Sequence, residues 1–534
     1  MGDATDTGAM HALLLNLVLW LPLAGAVALA LLPRLDDRAV RWVATAVLVG
    51  QGVPAFLLYG AFDAVAPGGQ FATVVPWIAD WGVSYHIALD GTNLLLVLLT
   101  AFLGPLVVLG AWTAITTQVR LFHGLLLLLQ CAMVGALVAQ DLFLFYLFWE
   151  AMLIPMFLMI GIWGGARRRY ATVKFVLYTA FGSILMLAAV IVLVLARADG
   201  AGGALSFAFA DLLAAPVPAP LQPWLFAAFA LAFAIKVPLV PLHTWLPDAH
   251  VEAPTPGSVI LAGVLLKMGT YGFLKLGFPL FPDAVRAHVP LLQTMAVVSI
   301  VWGAALALVQ QDIKKLIAYS SVSHLGYVML GLLSNELAGV QGAMVQMASH
   351  GLVAAGLFLL VGMVYERGHS RELAAYGGLA RQAPAYALAF VLFTLASVGL
   401  PGTSGFTGEF LVLLGAFAGA WPRYQAGDAL PLALAVAATS GVVLGALYML
   451  RFARTFLFGP VKAPHDVPLS DLTRRERGVL AVLFAAVLWL GLFPGGAMGK
   501  TEGAARRYLQ QLAPAAAVTA GTPAIIPARA AHAR

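Results

Sequence analysis

Apolar residues run along this chain in long unbroken blocks, separated by short stretches that hold most of the charge. A hydrocarbon core of about 30 Å takes about 20 helical residues to cross. Fourteen blocks qualify, at 13–32, 40–60, 92–112, 121–139, 142–162, 171–196, 223–245, 257–277, 290–309, 316–334, 340–365, 385–420, 432–457 and 478–495. The pattern predicts an all-α polytopic membrane protein with fourteen transmembrane helices. The twelfth block is too long for one straight span and contains its own break. The first block includes the small-residue run "LAGAVALA", but its flank carries Asp3 and Asp6 and no Lys or Arg. A signal peptide would have a basic flank, so this block reads as a retained helix.

Composition agrees: of 534 residues 61% are hydrophobic and 10% charged, with a mean hydropathy of +0.92, far from the balance of water-soluble domains. The net charge of +6 could suggest a nucleic-acid partner, but sorting the basic residues by loop points to topology. Nineteen Lys and Arg fall on one set of alternate loops, among them Arg34, Arg38, Arg41, Arg167, Arg168, Arg169, Lys314 and Lys315. Only Arg197, Lys275, Arg286 and Arg423 fall on the other. The rich side is expected to be cytoplasmic, which sends both termini outward, to the periplasmic side of a bacterial inner membrane. Cys131 is the only cysteine, so no iron–sulfur cluster or internal disulfide is expected. With no GxGxxG fingerprint and no Walker loop, neither a nucleotide nor a redox cofactor is expected in this chain.

Punctuation inside the blocks is uneven. "KVPLVPLHTWLP" breaks the seventh with Pro238 and Pro241; "SVGLPGTSGFTGEF" breaks the twelfth with Pro401, Gly402 and Gly405. A helix-internal proline removes a hydrogen bond and crowds a preceding carbonyl. In lipid such backbone persists only where it is buried in protein or lines a wet cavity. The breaks lie five helices apart, so helices 4–8 and 9–13 read as two five-helix repeats, each with its fourth helix broken. An odd helix count inverts the second repeat relative to the first, an arrangement transporters use to place ion sites at mid-bilayer. Residues 1–120 then hold helices 1–3 and an external loop, 121–277 the first repeat and 290–457 the second. Residues 458–534 hold a cytoplasmic loop, helix 14 and a flexible outward tail. The acidic loop from Ala61 to Gly91 is expected to cap the external face. The segment between helices 13 and 14 is a candidate docking surface, and the Ala/Pro-rich tail after Leu512 is expected to be poorly ordered.

A charge at mid-bilayer costs at least about 2.5 to 3.5 kcal/mol and marks a path or a partner. Four such charges stand out: Glu150, Lys236, Lys267 and Glu409. A Glu150–Lys236 pair would have a proton affinity set by partner distance, as a switchable proton site requires. His324 and His350 lie about mid-span in helices 10 and 11. Either alone could be a hydrogen-bonded core residue; together, between Lys267 and Glu409, they read as a relay. Ser320, Ser321, Ser323, Ser349, Thr403, Ser404 and Thr407 could hold water between them. His243, Asp248, His250 and Glu252 match metal ligands by type but fit no strong zinc spacing. His243 and Asp248 suit a mouth for proton uptake better, with a solvated loop as the alternative. Lys275, near the end of its span, reads as an ordinary anchor reaching the interface.

The stretches "FYLFWEAMLIPMFLMIGIWGG", "AFAIKVPLVPLHTWLPDAHVEAPTPGSVILAGVLLKMGTYG", "QQDIKKLIAYSSVSHLGYVMLG" and "LASVGLPGTSGFTGEFLVL" resemble the antiporter-like membrane subunits of respiratory complex I. The resemblance covers about residues 85–460. It is closest to the subunit M type of bacterial NADH:quinone oxidoreductase, which has glutamate where its L and N counterparts have lysine, as Glu409 here. The resemblance implies proton translocation, with Glu150 and Lys236 as an input pair, Lys267 bridging, His324 and His350 extending the axis and Glu409 serving the output. It also implies L-like and N-like membrane neighbours within the lipid bilayer, no nucleic acid, and FMN, iron–sulfur clusters, NADH and quinone held by other subunits. The alternatives are a subunit of a multi-chain sodium/proton antiporter or of a related membrane hydrogenase or dehydrogenase; co-purifying flavin and iron–sulfur chains would separate them.

Overall fold

The structure, a computed structural model, describes residues 2–200, 203–214, 217–462, 464 and 469–513. Helices α1 (Gly2–Leu31) and α2 (Asp37–Ala61) lead into an antiparallel hairpin of β1 (Gln70–Ile78) and β2 (Val83–Leu89). Helices α3 (Leu94–Gly110), α4 (Val119–Val138), α5 (Leu142–Trp163), α6 (Arg168–Gly200) and the short α7 (Phe209–Ala214) follow. Next come α8 (Gln222–Lys236) and α9 (Trp245–Glu252), two pieces of an interrupted helix, and then α10 (Thr255–Leu280). After them run α11 (Pro282–Leu308), α12 (Ile313–Leu332), α13 (Leu337–Gly368), one-turn α14 (Leu379–Gln382), α15 (Pro384–Val398), α16 (Ser404–Gln425) and α17 (Leu430–Leu457). The last two, α18 (Arg474–Leu492) and α19 (Pro494–Leu512), are bent by 67° at their junction.

Among the described residues ten helices are long and apolar enough to cross a membrane, or eleven if the bent α18–α19 pair is one span. Helices α3, α8 and α15 are apolar but shorter. All fourteen apolar blocks of the sequence lie on these helices or on an interrupted pair of them.

Two ends can be told apart by their contacts. At one, Arg120 reaches the carbonyls of Pro33 and Leu35, Trp163 that of Thr117, and the Gly165 amide that of Glu252. This end gathers the arginine-rich loops. At the other, the hairpin meets the start of α5 through Ser84 and Asp141, while Lys500 and Tyr508 of α19 bind the carbonyls of Phe62 and Leu332. Helix α19 therefore lies across the hairpin end, a helix the hydropathy pattern had merged into an outward tail. The part of that tail expected to lack order, 514–534, lies outside the described residues, as do residues 463 and 465–468 of the candidate docking loop.

The core centres on α10 and α13, whose apolar stretches are almost wholly enclosed by other helices. Small residues make this possible, since backbones approach closely where no side chain intervenes. A Cβ on Gly342 would meet the Val412 backbone at 2.7 Å, and one on Gly415 would meet Gly339 at 2.4 Å.

Three details depart from the sequence expectation. The loop 61–91 is not irregular: "QFATVVPWI" and "VSYHIAL" pair as a hairpin, so the chain is not wholly α. Their β-branched and aromatic residues form a two-stranded ribbon on a helical surface. Helix α10 is not a plain α-helix, for π-turns occupy Leu261–Leu265 and Phe273–Gly277. Gly405 lies inside the first turn of α16 rather than in the break; a Cβ there would sit 2.3 Å from the Ala396 carbonyl, so it sets how closely α16 meets α15.

Two helix starts share one local design. Asp141 caps α5 by accepting from Phe143 and Leu144, while Leu142 N donates to Phe207 O and Phe209 N to Gln140 O. Asp312 caps α12 by accepting from Lys314 and Lys315, while Ile313 N donates to Arg371 O and Leu373 N to Gln311 O. The first lies at the hairpin end and the second at the arginine-rich end.

Candidate functional site

Helix α8 stops at Lys236 because Pro238 and Pro241 follow, and its freed backbone groups find unusual partners. Val240 N donates to Ser299 Oγ at 2.9 Å, and Trp245 Nε1 to Ile235 O at 2.9 Å. The Val240–Pro241 peptide is cis. Lys236 itself is 5% exposed, with its ammonium 5.0 Å from the centre of the Trp149 ring, within cation–π range.

The expected direct contact between Lys236 and Glu150 is not made. Lys236 has no ion pair among the described residues, and Glu150, one position beyond Trp149, is only half-buried at the chain's outer surface. The Lys236 ammonium instead lies beside the Trp149 indole, which is anchored by its Nε1 to Ser183 Oγ at 3.0 Å.

Lys267, wholly buried on α10, donates to Ala262 O at 2.5 Å and lies 2.7 Å from His350 Nδ1 on α13. The π-turn just before it opens the helix ladder near that carbonyl. The His350 ring faces that of His324 on α12, with centroids 5.6 Å apart. His324 Nδ1 meets Glu409 Oε1 on α16 at 2.6 Å, and Gln346 Nε2 donates to the same oxygen at 3.0 Å. Between them lies a cavity of about 10 Å³, lined by His324, Gln346, Ser349, His350, Ser397 and Glu409, enough for about one water. Ser349 donates to Ser404 at 2.8 Å on its wall.

Each polar contact in this row can hold its proton at either end: a lysine ammonium can donate to a neutral imidazole, or an imidazolium to a neutral amine. The same holds for imidazole and carboxylate. Four helices thus contribute two proton-exchanging contacts, Lys267–His350 and His324–Glu409, with the two imidazole rings 5.6 Å apart between them. Glu409 is carried there by the second break, where Gly399 (φ +80°) and Gly402 (φ +91°) take left-handed conformations around Pro401, open to glycine at little cost.

The four residues at the end of the first break do not converge. His243 is buried near the Tyr319 ring, Asp248 pairs with Lys174 at 2.7 Å, His250 stacks on Phe358 at 4.5 Å, and Glu252 accepts from the Arg167 amide. Among the described residues no group of three or more His, Cys, Asp or Glu could hold a metal ion. Gln346, a full partner of Glu409, was not expected; it stands four residues before His350 on one helix face, but an amide is invisible to a search for titratable groups. Lys275 also departs from expectation, since it pairs with Asp90 instead of reaching freely to the interface.

An interrupted-helix membrane bundle with a buried Lys–His–His–Glu row defines the class: an antiporter-like, proton-handling membrane subunit. The family described as NADH:quinone oxidoreductase/Mrp antiporter, transmembrane, matches residues 139–425. The chain is 46% identical over 492 residues to NADH-quinone oxidoreductase subunit M of Rhodobacter capsulatus, covering 90% of this chain and 93% of that one. It is 38% identical to NAD(P)H-quinone oxidoreductase chain 4 1 of a Nostoc species over 485 residues, covering 90% and 88%. A chain of respiratory complex I from Thermus thermophilus superimposes with a TM-score of 0.82 at 34% identity, covering 94% of this chain and all of that one. The Mrp complex of a Dietzia species shares the fold, with a TM-score of 0.79 at 23% identity over 92% of this chain and 52% of that one. The chain belongs to the antiporter-like membrane subunits of NADH:quinone oxidoreductase, in the subunit M family.

Proposed function

We propose that this chain moves protons through the membrane arm of complex I along the row Lys236, Lys267, His350, His324 and Glu409, with Glu150 setting the charge state of Lys236 from across Trp149. As a membrane subunit of NADH:quinone oxidoreductase it belongs to a translocase complex. The observation that carries the path is the line of close polar neighbours from Lys267 to Glu409, bonded at each end and joined in the middle by two imidazole rings 5.6 Å apart beside a water-sized cavity. Moving one charge against 100 mV takes about 2.3 kcal/mol. Making or breaking one buried ion pair is on that scale.

The absence of a Glu150–Lys236 contact suits a switch rather than opposing it. With the two groups apart, Lys236 is poised to give up its proton; bringing them together would favour the ammonium. His243 and Asp248, near the arginine-rich end, are proposed as the uptake side, and Glu409 beside the second break as the release side.

Fourteen crossings and two inverted repeats are also proposed. The crossings are the ten long helices and α18, with α3, α12 and the broken α8–α9 added and α15–α16 counted as one. The paired designs at Asp141 and Asp312, on opposite faces, support the inversion. The arginine-rich end is then cytoplasmic and both termini lie outside the inner membrane. L-like and N-like subunits are proposed neighbours, and FMN, iron–sulfur clusters, NADH and quinone belong to partner subunits.

Replacing Lys236 by Ala in the assembled enzyme should abolish or sharply reduce proton pumping, measured by pH-sensitive dye quenching in membrane vesicles. Normal pumping per electron in that variant would sink the reading.

A further inference from the structure

Helices α2, α3, α13 and α18 leave a groove of about 420 Å³ between them, within the range of about 300–1,000 Å³ that holds small ligands. Its walls include Phe56 and Tyr59 on α2, Leu99 and Phe102 on α3, Leu352 on α13 and Trp489 on α18. Among the described residues no charged side chain lines it. Ala348 and Leu352 form part of its floor, two residues to either side of His350, and so on the opposite face of α13 from the proton row.

The mouth lies at the hairpin end, where Tyr59 stands in the last turn of α2 and Trp489 in the last turn of α18. Tyr and Trp collect where a bilayer meets water. Helix α19 crosses this end and brings two cations to it. Lys500 donates to the Phe62 carbonyl at 2.9 Å, with its ammonium 5.0 Å from the centre of the Tyr59 ring. That carbonyl takes one of three ammonium protons. Arg507, two turns further along the same helix face, lies over Gly503, where a Cβ would sit 3.5 Å from Arg507 Nη1 and 3.1 Å from the Ala64 carbonyl. Neither cation has an ion pair among the described residues: Glu502 is taken by Arg506, and Asp63 accepts from the Val65 amide.

An apolar slot with two unpaired cations at its mouth is complementary to a hydrocarbon chain that carries an anionic head. A neighbouring subunit's helix fits it poorly, since a cylinder about 10 Å across needs roughly 850 Å³ for two turns.

We propose that this groove binds one acyl chain of an anionic phospholipid, with the phosphate held by Lys500 and Arg507. Both cations donate charge-assisted hydrogen bonds to phosphate oxygens. The chain runs past Tyr59 and Trp489 to Phe102 and Leu352, where it backs the helix that carries His350.

The test uses the assembled complex, delipidated and reconstituted with phosphatidylglycerol or, separately, phosphatidylcholine. Each lipid carries a diazirine midway along one acyl chain, and crosslinked peptides are mapped by mass spectrometry after irradiation. Label at Leu99, Phe102 and Leu352 should be several-fold heavier with the anionic lipid. Lys500→Gln combined with Arg507→Gln should erase that preference, and Ala485→Trp, which adds bulk at an exposed position of the groove wall, should remove the label from both lipids. Equal label from the two lipids, or a preference that survives loss of both cations, leaves only ordinary surrounding lipid and overturns the site. Label undiminished by Ala485→Trp, or no label from either lipid, overturns it as well. Should the variants fail to assemble, the comparison of the two lipids on the wild-type complex decides alone.

Discussion

Gln346 holds Glu409 from one side while His324 holds it from the other, so the carboxylate's position depends on both. Gly408, beside Glu409, leaves room for Gln346: a Cβ there would lie 2.3 Å from Gln346 Oε1 and 2.9 Å from its Cα. Gly408→Ala must therefore displace the amide or part α13 from α16, an overpacking that costs about 1–3 kcal/mol. Several-fold weaker pumping is expected, read in vesicles against Gly445→Ala, where a Cβ meets nothing within 4 Å. The costly charges Lys236, Lys267 and Glu409 were legible in the sequence because each interrupts an apolar block. Their neighbours were less so: the order Lys267, His350, His324, Glu409 depends on how four helices face one another. The Trp149 indole beside Lys236 looks in the sequence like one more aromatic residue.

At the scale of elements, hydropathy located the ten helices that are long and apolar enough to cross a membrane among the described residues, since a block of about 20 apolar residues has few other uses. It missed what carries little hydropathy signal: the hairpin, the π-turns of α10 and the amphipathic α19. The start of α15 offers a test of how its loop is fixed. Asp471 accepts from the amides of Ala385, Tyr386 and Leu472. Partial burial opposes its charge, but these hydrogen bonds prevail and hold its carboxyl below the ordinary value of 3.8. A carboxyl depressed on folding stabilises fully above its unfolded pKa, and that contribution disappears as pH falls through the folded one. Asp471→Ala should weaken the cap by about 1 kcal/mol, seen as faster amide exchange at Ala385 and Tyr386 at pH 7. The difference from wild type should shrink as acid takes the pH through the depressed Asp471 pKa and protonates the carboxylate.

The whole molecule holds two interrupted helices in one bundle, and the proposed orientation rests on where arginine collects. Cys131 is buried, so introduced thiols can report sidedness without background. Val74→Cys on the hairpin and Val461→Cys near the arginine-rich end are both exposed positions. In sealed, right-side-out vesicles an impermeant maleimide should label the first and spare the second; the reverse would invert the proposed topology. The most direct test of the path itself is the proton-to-electron ratio of the Lys267→Met complex in liposomes, because the proposed path passes through Lys267 between its two halves. A ratio well below wild type, with the complex assembled, is the expected result; an unchanged ratio would contradict the path.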